Sequence, residues 1–190
     1  MTNIAGEPVP LPELEERWRR CRLLISEIVP GAAGLIVFSR LNIYYLSGTL
    51  GSGLFWFPLD GEPVLLCRRG LERAVLESPM TGIRSFKSYR DVEAVLRDAG
   101  SPLGQKIAVE MNGLSWALGA GFTRHLAGRE FLPGDRVPAR ARAVKSPREL
   151  AIIREAGKRH NQCLTELLPP LLAEGMSELV SVQKRQYPND

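Results

Sequence analysis

Residues 42–57 read NIYYLSGTLGSGLFWF, with Gly48, Gly51 and Gly53 set between two apolar runs. A glycine loop can cradle a phosphate, but the dinucleotide fingerprint needs glycines that open a helix, whose free N-terminal amides hold the pyrophosphate. Here the glycines lead into LFWFPL (54–59), which is aromatic, apolar and carries a proline, and so reads as a strand. No GK[ST] follows to make a Walker loop. The stretch therefore divides into an ordered NIYYL segment, a loop at 48–53 and a strand. Glycine supplies backbone angles that other residues avoid. Loops carried by a rigid sheet are also where contact surfaces gather, and Leu50 with Trp56 would give this one apolar area. The residues alone leave both roles open, a plain turn or a partner contact.

The neighbouring segments build a sheet around this stretch. LFWFPL and EPVLLC (62–67) flank Asp60-Gly61, and a DG between two apolar runs signals a hairpin and an antiparallel pair. Upstream, GLIVF (34–38) is a short, nearly continuous apolar run of the kind found in a strand covered on both faces. Before it, Leu14, Trp18, Cys21, Ile25 and Ile28 fall at helical spacing behind Pro12 and the acids Glu13, Glu15 and Glu16, and Pro30-Gly31 ends that helix. Downstream, residues 68–78 read as a helix, 82–89 as extended, Val92 to Ala99 as a helix stopped by Gly100, KIAVE (106–110) as a strand, 114–126 as a helix and EFL (130–132) as a last strand. Strands alternating with helices predict a mixed three-layer α/β domain ending near residue 135.

The net charge of +4 and sequence pI of about 9.2 raise the question of nucleic acid. Much of the excess lies in RVPARARAVKSPR (136–148), which has five basic residues and no acid. It also has no aromatic to stack on a base, so it reads as a solvated or acid-paired connector, with nucleic acid not expected as a partner. Ser146-Pro147-Arg148-Glu149 is a capping box with proline at the first helical position. The helix it opens would bury Leu150, Ile153, Cys163, Leu164 and Leu167 and bend or stop at Pro169-Pro170. Cys21, Cys67 and Cys163 are odd in number and far apart, so they read as reduced thiols. No apolar run approaches the roughly 18 residues of a membrane span, and the opening MTNIAGEPVP lacks the blocks of a signal peptide. A cytoplasmic location with no membrane partner is the expectation.

Two anchors carry a family resemblance: GLIVF, NIYYLSG (42–48) and the hairpin in that order, and RAVKSPRELAIIREA (142–156) about 100 residues later. Together they resemble the amino-terminal domain of creatinase, prolidase and the Xaa-Pro aminopeptidases, with the connector and first helix leading to the catalytic domain, over roughly residues 14–178. The resemblance implies a three-layer sandwich with a mixed, mainly parallel sheet of about six strands and a ribonuclease H-like motif. It divides the chain into that domain at 1–135, a basic connector at 136–146, and the first helix and stub of a catalytic domain at 147–190. In that family a following pita-bread domain uses two Asp, one His and two Glu to hold two divalent metals, commonly manganese, cobalt or zinc, which suit hard carboxylate ligands and activate a bridging water. Those motifs are absent here, so a chain cut before the catalytic domain, with no catalytic residue, metal ligand or cofactor of its own, is expected. His125 and His160 sit in no metal motif and read as structural or surface residues.

What the resemblance implies for function is a non-catalytic domain of an enzyme cleaving Xaa-Pro peptides. It would help form a homodimer, with loops that reach the partner's active-site mouth and restrict proline-containing substrates. By position, Tyr45, Thr49, Leu50 and Trp56 are the candidate partner or substrate-access contacts, with Tyr45 and Trp56 also fitting a core. The alternative is a self-standing, non-enzymatic peptide- or protein-binding domain, as in the peptidase-like domains of histone chaperones. A hydrolase of another kind finds no Ser/His/Asp, Cys/His or paired-carboxylate set here.

Overall fold

Successive residues of a strand face opposite ways, and three strands at the centre of the sheet use that rule to feed two cores. A computed structural model of the chain describes residues 7–112, 114–172, 174 and 175. In β1 (Gly34–Val37), Leu35 and Val37 enter one apolar cluster and Ile36 the other. β2 (Ser52–Pro58) divides likewise, Phe55 and Phe57 against Leu54 and Trp56, and β3 (Val64–Arg69) sends Leu65 and Cys67 one way and Val64 and Leu66 the other. A sheet apolar on both faces needs helices on both. The first cluster is closed by α1 (Leu11–Ile28), α2 (Arg40–Ser47) and α6 (Arg136–Ala143), and the second by α4 (Val92–Asp98) and α5 (Trp116–His125). This is the three-layer sandwich.

The sheet has six strands in the order β4-β3-β2-β1-β5-β6, with β4 at Ile83–Ser85, β5 at Lys106–Val109 and β6 at Glu130–Pro133. β2 pairs antiparallel with β1 and β3, while the other three pairings are parallel. Five strands therefore run one way and β2 alone runs against them, the mixed, mainly parallel sheet expected. The hairpin is present, but its turn spans residues 59–63 instead of a tight pair, with Gly61 supplying a φ of +100°. At the far end of β2 the pairing with β3 shifts register between Ser52 and Gly53. A Cβ at Gly53 would lie 1.8 Å from the Leu66 carbonyl oxygen, so this bulge requires glycine.

Four local expectations change. NIYYL is helical, as most of α2. Arg68 and Arg69 extend β3, and α3 (Leu71–Glu77) starts only after Gly70 turns the chain at φ +73°. Of the extended segment 82–89, only Ile83–Ser85 is a strand, because Ser88 and Asp91 form a capping box on a 3-10 turn at Tyr89–Asp91. The basic run is not a bare connector: residues 136–143 form α6, with Val137, Pro138 and Ala141 buried. Two of its cations are tied down, Arg140 to the Glu27 carboxylate at 2.6 Å, an acid pairing as read, and Arg142 to the Asn42 side chain at 2.9 Å.

Residues 7–144 form one compact unit, and the residues from Lys145 onward belong to a second. The second unit is α7 (Pro147–Gln162), a π turn at Cys163–Leu167 and a 3-10 turn at Pro169–Leu171, where the two prolines stop the helix. The capping box forms as read, Ser146 accepting from the Glu149 amide and Glu149 from the Ser146 amide. The expected burial of Leu150, Ile153, Cys163, Leu164 and Leu167 does not occur: neither α7 nor the π turn has a buried residue. The spacing specified which face is apolar, and the described residues of this unit supply nothing to cover it. No helix among the described residues is long and apolar enough to cross a membrane.

Candidate functional site

α2 is only eight residues long, too short to persist alone, and it is fixed at both ends by distant residues. The last carbonyls of a helix have no partner within it. Here Gly48, at φ +77°, donates its N–H to the Tyr44 carbonyl. Arg17 donates to the Tyr45 carbonyl at 2.8 Å, the Trp18 indole N–H to Leu46 at 2.8 Å, and the Ser78 hydroxyl to Ser47. At the other end, the buried Glu110 carboxylate accepts from the Phe38 and Ser39 amides, both at 2.8 Å, and from the Asn42 side-chain amide at 2.5 Å. Asn42 in turn accepts from Arg142. A buried carboxylate held by three donors is a satisfied structural charge. It joins the end of β5 to the start of α2.

These anchors determine where the four candidate contacts lie. Tyr45 is buried, with its hydroxyl donating to the Ala141 carbonyl and the Arg17 guanidinium 4.5 Å above its ring. Thr49 is buried and donates to the Glu77 carboxylate at 2.7 Å. That hydroxyl, with Arg73 second, holds the Glu77 carboxyl below the usual carboxylate range. Trp56 is fully buried in the second core, and its ring fills the space a side chain at Gly34 would need. Only Leu50 faces solvent. Thr49 thus braces the loop against α3, Tyr45 fixes α2 against α6, Trp56 packs within the second core, and Leu50 is the one of the four left exposed.

Leu50 does not stand alone on its edge. β1, β3 and β5 end at Val37, Arg69 and Val109, where β2 begins at Ser52, so these ends share one edge of the sheet. Beyond β5 that edge carries exposed Met111, Trp116 and Leu118, with Trp116 91% exposed. Between the strand ends lies a cleft of about 250 Å³ whose lining includes Phe38, Ser52, Arg68, Tyr89, Asn112 and Leu118. Sequence reasoning missed Trp116 and Arg68. The signal for Trp116 was available: a large aromatic at the first position of a helix opened by Ser115, where nothing in the pattern buries it.

His125 closes α5 and is half-buried, and His160 is exposed in the last turn of α7. Among the described residues no three His, Cys, Asp or Glu side chains cluster to hold a metal ion. The two divalent ions implied by the family resemblance therefore find no ligand set in the described part of this chain.

Residues 17–144 match the family model described as the creatinase/prolidase N-terminal domain. No curated protein matches the chain. Among solved structures, the Xaa-Pro dipeptidase from Bacillus anthracis superimposes with a TM-score of 0.75 at 17% identity, covering 92% of this chain and 48% of that one. The prolidase from Pyrococcus furiosus gives 0.70 at 23% identity, covering 89% and 51%. The N-terminal domain of a cytoplasmic peptidase from Mycobacterium tuberculosis gives 0.56 at 17% identity, covering 66% of this chain and 98% of that domain. The chain spans about half the length of the full-length relatives it resembles.

Proposed function

The chain belongs to the creatinase/prolidase N-terminal domain family, and from that premise we propose that it serves as the non-catalytic amino-terminal domain of a metallopeptidase acting on Xaa-Pro peptides. In this reading the domain pairs with a second copy. Its sheet edge forms part of the rim of an active site and restricts entry to short proline-containing peptides. Hydrolysis belongs to a catalytic domain carrying two divalent metals, manganese, cobalt or zinc, and the assembly works in the cytoplasm.

The observation that carries the proposal is the family match over 17–144 on a fold shared with prolidase-like enzymes. The sheet edge adds support. Leu50 and Met111 in loops, and Trp116 and Leu118 in the first turn of α5, keep apolar surface in water at this edge, where a partner's contact would cover it.

Two measurements test the proposal. Light scattering of the purified chain over a wide concentration range should reveal a dimer that Leu50→Asp combined with Trp116→Asp converts to monomer. A monomer at every concentration opposes the pairing. The same chain given manganese and an Xaa-Pro dipeptide should release no proline, and metal-dependent cleavage that follows the protein through repurification would overturn the non-catalytic assignment.

A further inference from the structure

The cleft at the strand ends has a chemistry of its own. Its floor is an interlocked aromatic group: Phe38 meets Phe122 edge-on at 5.2 Å, Tyr89 meets Phe122 edge-on at 5.4 Å, and Phe86 stacks on Tyr89 at 6.2 Å. Such packing makes the apolar wall preformed. Around it the polar lining is Ser39, Ser52, Arg68 and Asn112, all able to donate, with no aspartate or glutamate among them. Among the described lining residues Arg68 is the one cation, and it is exposed to solvent. Its guanidinium lies 5.8 Å from the Tyr89 ring centre, near the outer limit of a cation–π contact, and makes no hydrogen bond or ion pair with any described residue. Of the nearby carboxylates, neither Glu110 nor Asp135 lines the cleft: Glu110 is held by two backbone amides and Asn42, and Asp135 accepts from the Asn112 backbone amide at 2.6 Å.

We infer that this cleft binds a small organic anion, a single carboxylate carried on an aromatic ring. The Arg68 guanidinium matches one carboxylate, whose two oxygens can accept its paired donors. A phosphate dianion would call for more cations or for free helix amides, and the amides of Phe38 and Ser39 are occupied by Glu110. The ring packs against the aromatic floor and Leu118. About 250 Å³ lies just below the roughly 300–1,000 Å³ of drug-sized pockets, which restricts the ligand to a single ring with a short acid arm. The cleft shares Leu118 with the apolar edge proposed for pairing, whereas Leu50, Met111 and Trp116 lie outside its lining.

The test is calorimetric titration of the full chain with phenylacetate, set beside phenethylamine, acetate and inorganic phosphate. Phenylacetate should bind at a single saturable site, and the other three should bind far more weakly or not at all. Arg68→Gln should weaken phenylacetate by about tenfold or more, as expected for losing a charged hydrogen bond, while Arg69→Gln should leave it unchanged. Should Arg68→Gln fail to fold, Leu118→Trp, which fills the cleft from an exposed position, should abolish binding. The inference is overturned if phenylacetate does not saturate, if phenethylamine or phosphate binds as well, or if a folded Arg68→Gln or Leu118→Trp protein binds as the parent does.

Discussion

α1 and α7 are almost the same helix on paper. They hold 18 and 16 residues, each has proline in the first turn with a glutamate close behind, and each carries an apolar stripe. α1 buries Leu14, Trp18, Cys21, Leu24 and Ile25 against the sheet, whereas α7 buries nothing. Their backbones are equally regular and their start signals equally clear, α7 having the better cap. The difference teaches that an amphipathic stripe is half of an interface: it fixes which side wants cover, and another part of a structure must provide it. Most helical stability in proteins comes from that cover.

A matched pair of substitutions puts the largest strain on the contrast. Ile25→Ala should cost about 2–5 kcal/mol in urea unfolding, the range for a buried isoleucine, while Ile153→Ala should stay within about 0.5 kcal/mol. Equal losses would mean that α7 is covered in solution and would erase the difference. Next in size, Glu110→Ala should cost about 3 kcal/mol, because it leaves two part-buried backbone N–H groups at the start of α2 and the buried Asn42 side chain without their acceptor.

A smaller effect, about 1 kcal/mol, is expected for Thr49→Val, which removes one hydroxyl from the Glu77 carboxylate. The folded Glu77 carboxyl titrates below its ordinary value, so its contribution is present above the unfolded carboxylate range and fades as the pH falls through the folded value. The gap between Thr49→Val and the parent protein should therefore be constant near neutrality and narrow in acid, and a gap that widens in acid would contradict the assignment. Last, with no cost in stability, a mild alkylating reagent should modify Cys163 quickly and leave Cys21 and Cys67 until the chain unfolds. Cys163 is exposed, burial pushes the Cys21 thiol up to about 12, and it raises that of Cys67 as well. Fast labelling of Cys21 would show α1 no better covered than α7.

Much of the sheet was legible because period-two burial leaves its mark on sequence: LFWFP and VLLC are apolar throughout since both faces are covered. The hairpin and the α7 cap were legible for the same local reason, the turn and capping residues lying next to what they shape. α2 was not. Its tyrosines and isoleucine carry no strong helical preference, and its carbonyls are satisfied by Arg17, Trp18 and Ser78, some thirty residues away on either side. Arg68 was hidden in a different way. A pair of arginines beside a leucine-rich helix pattern reads as that helix's first turn, and only the φ of Gly70 shows that they end a strand. Among the candidate contacts, Leu50 was legible as an exposed loop leucine and Tyr45 and Trp56 as residues that fit a core, but the burial of Thr49 depended on its reach to Glu77 in α3, which no spacing encodes.

The short relay from Arg142 through Asn42 to Glu110 links three elements distant in sequence, α6, α2 and the end of β5. Arg142 sits two residues before the boundary at Val144, and Glu110 grips the amides of Phe38 and Ser39, which form one wall of the cleft. The last turn of α6 and one side of the cleft thus hang on a single polar chain, with Asn42 as its middle member.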